Sequence, residues 1–162
     1  MKNIVFPFDL EVILGEQREK YVDFNLPVYK IFSGWERLLP YLNDGNYFVV
    51  FESKRKRYPL LDELLNFADY FAYREAKKMP GFRGYYRGEL DKKTNLCRSF
   101  CVWDKRESAR NSAKKPNHKK AMLLTKIAFD LYRIKRYIVK KKGKKVLFEE
   151  YIPQKNNMIK SN

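Results

Sequence analysis

Between Asn46 and Val139 the hydrophobic period of the chain switches in a fixed order, and that order limits the possible folds more than any other feature. NYFVVFESKRK is aromatic and β-branched, which predicts a strand. Pro59 then opens a helix at the position where its missing N–H costs least. Leu61, Leu64, Leu65, Ala68, Phe71, Ala72, Ala76 and Met79 recur at three- and four-residue spacing as one apolar stripe, and Pro80-Gly81 ends it. FRGYYRGELD and LCRSFCVWD predict two strands joined by a polar turn, an antiparallel hairpin. A second helical region starts near Asp104 and is divided by Pro116, which removes an N–H and clashes with the preceding turn. Asn117 is expected to cap the restart, with Ala121, Leu124, Thr125, Ala128, Phe129 and Tyr132 as the buried stripe. RIKRYIVKK predicts a fourth strand and VLFEEYI, after a basic turn at Gly143, a closing one.

Strand, helix, strand, strand, helix, strand is the order of a split βαβ unit. The expected fold is therefore α+β and ferredoxin-like, a βαββαβ antiparallel sheet with two helices on one face, spanning residues 46–152. Its other face must find a partner or a ligand. Residues 1–45 are expected to form an N-terminal extension packed on this core. IVFPFDLEVIL reads as a strand interrupted at Pro7, and GEQREKYVDFNLPVYK as a loop or short strand. SGWERLLPYLND reads as a short helix whose N-cap Ser33 and Glu36 complete a capping box. Residues 153–162 read as a frayed basic tail.

Charge is uneven. From Lys105 to Asn162 there are 18 Lys and Arg against 4 acids, whereas the rest of the chain has 17 against 15. A basic half of that kind attracts polyanions, nucleic acid among them, or is simply a solvated face. The start has too short an apolar run for a signal peptide core, and no stretch is long enough to span a bilayer, so no membrane partner is expected. Cys97 and Cys101, four apart on one strand, stand ~13 Å from each other at ~3.3 Å per residue and cannot bridge. A reducing, cytoplasmic setting is expected, with both thiols buried as packing residues.

The segments FVVFESKRK, GFRGYYRGELD, CRSFCVWDKRESARNSAKKPNHKKAM and RIKRYIV resemble the dimeric α+β barrel superfamily, which includes the antibiotic biosynthesis monooxygenase-like proteins. The strand ending in Trp103-Asp104, followed at once by an Arg/Glu/Ala-rich helix leading to a histidine, carries most of the likeness. The resemblance implies a homodimer that pairs open sheet faces into a barrel, with a small cavity between sheet and helices in each protomer. It also implies a small-molecule-binding protein, with a cofactor-independent or haem-type monooxygenase among the possible activities. Haem-degrading members place an asparagine on the first strand, a tryptophan at the end of the third and a histidine on the next helix. Trp103 matches by place and His118 loosely, while the first strand has no asparagine and Asn46 lies just before it.

His118, the single histidine, is the candidate catalytic residue, since a neutral imidazole near its usual pKa can move a proton. Trp103, Phe100 and Tyr85 are candidate walls of a ligand cavity. Arg98 and Arg83 are candidate contacts for an aromatic or anionic ligand. No phosphate loop, zinc spacing, nucleophile elbow or dinucleotide fingerprint is present, so no metal site and no cofactor are expected beyond the haem alternative. Two other classes fit the same order of elements: an RNA-binding module stacking bases on sheet aromatics, with Lys105 to Asn162 on the backbone, and a non-enzymatic structural or ligand-sensing dimer.

Overall fold

The computed structural model describes residues 9–14 and 23–153; the expectations for residues 1–8, 15–22 and 154–162 fall outside them. Helix α1 (Leu10–Leu14), helix α2 (Val28–Ile31) and a single 3-10 turn (Trp35–Leu38) precede β1 (Tyr47–Arg55). Then come α3 (Pro59–Ala76), β2 (Phe82–Tyr86), β3 (Leu96–Trp103), α4 (Arg106–Ala113), α5 (Pro116–Ala128), β4 (Phe129–Lys142) and β5 (Lys145–Glu150). All strand pairings are antiparallel, in the order β2-β3-β1-β4-β5, the α+β ferredoxin-like sheet with β5 added at one edge.

Side-chain alternation along β1 splits the core in two. Tyr47, Val49, Phe51 and Ser53 face the layer formed by α3, α4 and α5, whereas Phe48, Val50 and Glu52 face the opposite side. On that opposite side lie Leu10, Leu14, Phe32, Trp35, Leu38 and Leu42, all buried with Phe48, Phe100 and Val102 in one cluster. The face that the resemblance assigns to a second subunit is thus filled from within the chain. The same cover removes the open platform required for base stacking: Phe48 and Phe100 are fully buried.

Several local expectations change. LEVIL is helical, not a strand: Asp9 Oδ1 accepts from the Val12 N–H at 3.2 Å at the start of its turn. The 3-10 turn begins from Gly34 at φ 78°, a left-handed conformation open to glycine, so the N-cap position falls one residue after the expected Ser33. Lys115 is the N-cap position of α5, and the cap comes from another helix. Glu75 Oε2 accepts from the backbone N–H groups of Asn117 and His118 at 3.1 and 3.3 Å, placing a carboxylate on a helix N-terminus. β4 begins already at Phe129, because this aromatic, alternating segment pairs with Arg55 and beyond instead of extending α5. Finally, α3 carries two apolar stripes. Leu65, Ala72 and Ala76 are buried, but Leu64 and Phe71 are about half exposed.

Candidate ligand cavity

Between the sheet and the helix layer lies a cavity of about 470 Å³, a size suited to a small organic ligand. Its walls are largely aromatic: Phe51, Tyr73, Phe82, Tyr85, Trp103 and Tyr132 all line it. Small residues of the helices keep it open, since Ala68, Ala72, Ala109, Ala113 and Ala121 face it where longer side chains would fill it. Trp103 is 2 % exposed, stacks edge-on with Phe82 at 5.1 Å, and donates Nε1–H to Cys101 Sγ at 3.0 Å. Both free cysteines are buried on this face, and burial pushes the Cys97 thiol up to about 11 and the Cys101 thiol to about 12. They are packing groups, not nucleophiles.

Polar groups gather at two places. On the helix side, Tyr85 donates its hydroxyl to Asp69 Oδ1 at 2.8 Å. Burial, reinforced by the Asp69 charge, holds the Tyr85 phenol well above its ordinary pKa, so it stays a donor. His118 lines the same cavity, and burial pulls its pKa below the ordinary value while Glu75 and Asp69 oppose that shift. Its Nδ1 is buried with no hydrogen-bond partner among the described residues. At the other place, Arg106 and Arg110 from α4 and Arg136 from β4 line the cavity, and none of them forms an ion pair with a carboxylate among the described residues. Arg106 lies over the Tyr151 ring at 5.1 Å. A second, shallower hollow, lined by Lys54, Lys56, Arg57 and Lys93, opens beyond Arg55, which lines both.

Of the six residues predicted from sequence, Trp103, Tyr85 and His118 are brought together here. Phe100 and Arg98 are not: they point to the opposite side of the sheet. Phe100 packs against Phe32, Phe48 and Tyr86. Arg98 is fully buried, paired with Glu52, and donates Nη2–H to the Leu26 carbonyl at 3.1 Å. Arg133 and Lys135 also reach Glu52, at 3.1 and 3.3 Å, so this arginine is a structural cation under the N-terminal segment. Arg83 is turned away by an irregularity in the β2–β3 register between Phe82 and Gly84, which brings Phe82 and Tyr85 to the cavity instead. Asn46, the nearest asparagine to the first strand, is also committed elsewhere. Its Oδ1 accepts from Asn43 N–H at 2.7 Å and its Nδ2 donates to the Asp104 carbonyl at 3.2 Å, so the asparagine of the haem-degrading set has no counterpart at the cavity. No three His, Cys, Asp or Glu side chains among the described residues gather as a metal cluster.

The residues that sequence reasoning missed are Asp69, Glu75 and the three arginines. Asp69 had a signal: an acid one position from Ala68 inside a buried stripe is costly without a partner.

A family model described as PB2B2.08-like matches residues 29–150. The chain belongs to that family. No curated protein matches the chain by sequence. Solved structures share its fold. A point variant of SnoaB, a cofactor-independent oxygenase from Streptomyces nogalater, is 11 % identical, with 60 % of this chain and 95 % of that one covered at a TM-score of 0.51. A proposed antibiotic biosynthesis monooxygenase from Nitrosomonas europaea is 10 % identical, with 60 % and 93 % covered at 0.52. Rv0793 from Mycobacterium tuberculosis is 9 % identical, with 61 % and 99 % covered, also at 0.52. The chain thus has the fold of the antibiotic biosynthesis monooxygenase-like proteins, which its sequence resembles.

Proposed function

We propose that this protein encloses a small aromatic acid in the cavity between sheet and helices. The observation that carries the reading is the pairing of an aromatic wall with three of the arginines that line the cavity, Arg106, Arg110 and Arg136, which form no ion pair with a carboxylate among the described residues. A carboxylate on the ligand would complete them, and its ring would lie among Phe82, Tyr85 and Trp103. His118 stands over the same space as a neutral base with an open Nδ1. A phenolic or enolic hydroxyl placed there would donate a hydrogen bond to the imidazole; with the arginine cations stabilising the anion, passage of that proton to the imidazole leaves an electron-rich ring, the kind of substrate that reacts with oxygen directly. SnoaB, with the same fold, is a cofactor-independent oxygenase, which supports that reading without identifying the substrate. The homodimer expected from the resemblance is a separate proposal.

The test is a thermal-shift and calorimetric screen of hydroxylated aromatic carboxylates. A binder at about 100 times its Kd should stabilise the protein by ~2.7 kcal/mol, and Arg136→Ala should weaken that binding. His118→Ala should abolish turnover while leaving the fold intact. If no aromatic acid raises the melting temperature, or Arg136→Ala binds as well as the parent, the reading is wrong.

A further inference from the structure

The outer side of the helix layer is unusually apolar. Leu60, Leu64, Phe67 and Phe71 on α3 are 76, 50, 64 and 46 % exposed, and Leu123 and Ile127 on α5 are each 61 % exposed. The α3 residues are spaced four, three and four apart, so they form one stripe along the helix, distinct from the buried stripe of Leu65, Ala72 and Ala76. Glu75, which reaches α5, lies on α3 between the two stripes, whereas Asn66, which bonds Arg87 beside β2, lies on the far side. The exposed stripe therefore runs on the side of α3 that adjoins α5, and the two helices present one apolar surface.

Cations edge that surface. Lys119, Lys120 and Lys126 are the helical neighbours of Leu123, and Arg74 stands one turn beyond Tyr70, with its guanidinium 5.6 Å over the Tyr70 ring. The acid among these exposed neighbours is Glu63. A face with this excess of positive charge repels a second copy of itself. Leu60, Leu64, Phe67, Phe71, Leu123 and Ile127 line neither of the two hollows described above, so this face is separate from the ligand cavity. Aromatic and aliphatic side chains on an outer helix face, rimmed by lysines, suit an interface where apolar groups enter the acyl boundary and cations meet anionic headgroups.

We infer that the outer face of α3 and α5 docks on an anionic lipid surface, lying on the bilayer and not crossing it. No helix among the described residues is long and apolar enough to cross. The net charge of +16 adds long-range attraction to the same surface.

The experiment is flotation of the full-length protein with vesicles of phosphatidylcholine alone and of phosphatidylcholine mixed with phosphatidylserine. The protein should float with the serine-containing vesicles only, and less as salt rises. The exposed double variant Phe67→Ser, Leu123→Ser should keep the parent melting temperature and partition about tenfold less or weaker still. Three results would overturn the inference: the parent stays in solution with both vesicles, the double variant binds as tightly as the parent, or the parent is a dimer that the double variant converts to a monomer. The second would reduce the contact to lysines alone, and the third would put a second copy on this face.

Discussion

At the scale of single residues, the chemistry rests on charges placed where burial changes their behaviour. His118 is held neutral by desolvation, so its pKa in the folded protein lies below the ordinary 6.5. The unfolded chain therefore takes up a proton at a higher pH than the folded one, and the stability contributed by the neutral imidazole is complete above about pH 6.5 and is lost as pH falls through the lower folded value. The melting temperature should drop on acidification from neutral pH, and His118→Gln should flatten that part of the profile; identical profiles for the two proteins would show that the imidazole is not buried as described. How far such residues could be read beforehand depended on parity. Phe100 and Trp103 differ by an odd number of positions on one strand, so simple alternation already places them on opposite faces and already separates Arg98 from Tyr85's neighbours across the sheet. Arg83 was not legible in that way, because the register shift after Phe82 breaks the alternation and leaves no mark in the sequence beyond Gly84.

At the scale of elements, the longer strands and the two long helices were legible because each keeps its hydrophobic period over many residues, and five-residue β2 was legible through its hairpin connection to β3. The described part of the N-terminal segment was not, since its elements are four or five residues long and their conformation is decided by what they pack on. Trp35 shows the consequence. It is 8 % exposed and meets Phe32, Phe48, Phe100 and Phe148, so a single turn anchors three other elements. Trp35→Ala should cost ~3 to 5 kcal/mol in urea denaturation. A loss near zero would mean that residues 10–14 and 23–42 rest on the sheet without supporting it. The end of α5 was misjudged for a related reason. Phe129 and Tyr132 fit a helical stripe and a strand face equally well, and pairing with β1 decides for the strand.

At the scale of the whole molecule, three layers enclose β1: helices on one side, the N-terminal segment on the other, and strands β3 and β4 along both edges. Amides of Tyr47 to Lys54 should therefore exchange with solvent only when the protein unfolds globally, and those of β5, at the sheet edge, should exchange sooner. Equal rates in the two strands, measured by native-state hydrogen exchange, would mean that the layers part before the sheet does. The contact of Trp35 with Phe148, ring centroids 4.7 Å apart, has a further consequence in time. Synthesis proceeds from the N-terminus, so Leu10, Phe32 and Trp35 emerge long before the strand that completes their burial. Until residue 148 has left the ribosome this cover has no finished surface to settle on, and the growing chain must carry Leu10, Phe32 and Trp35 in waiting while all five strands are made.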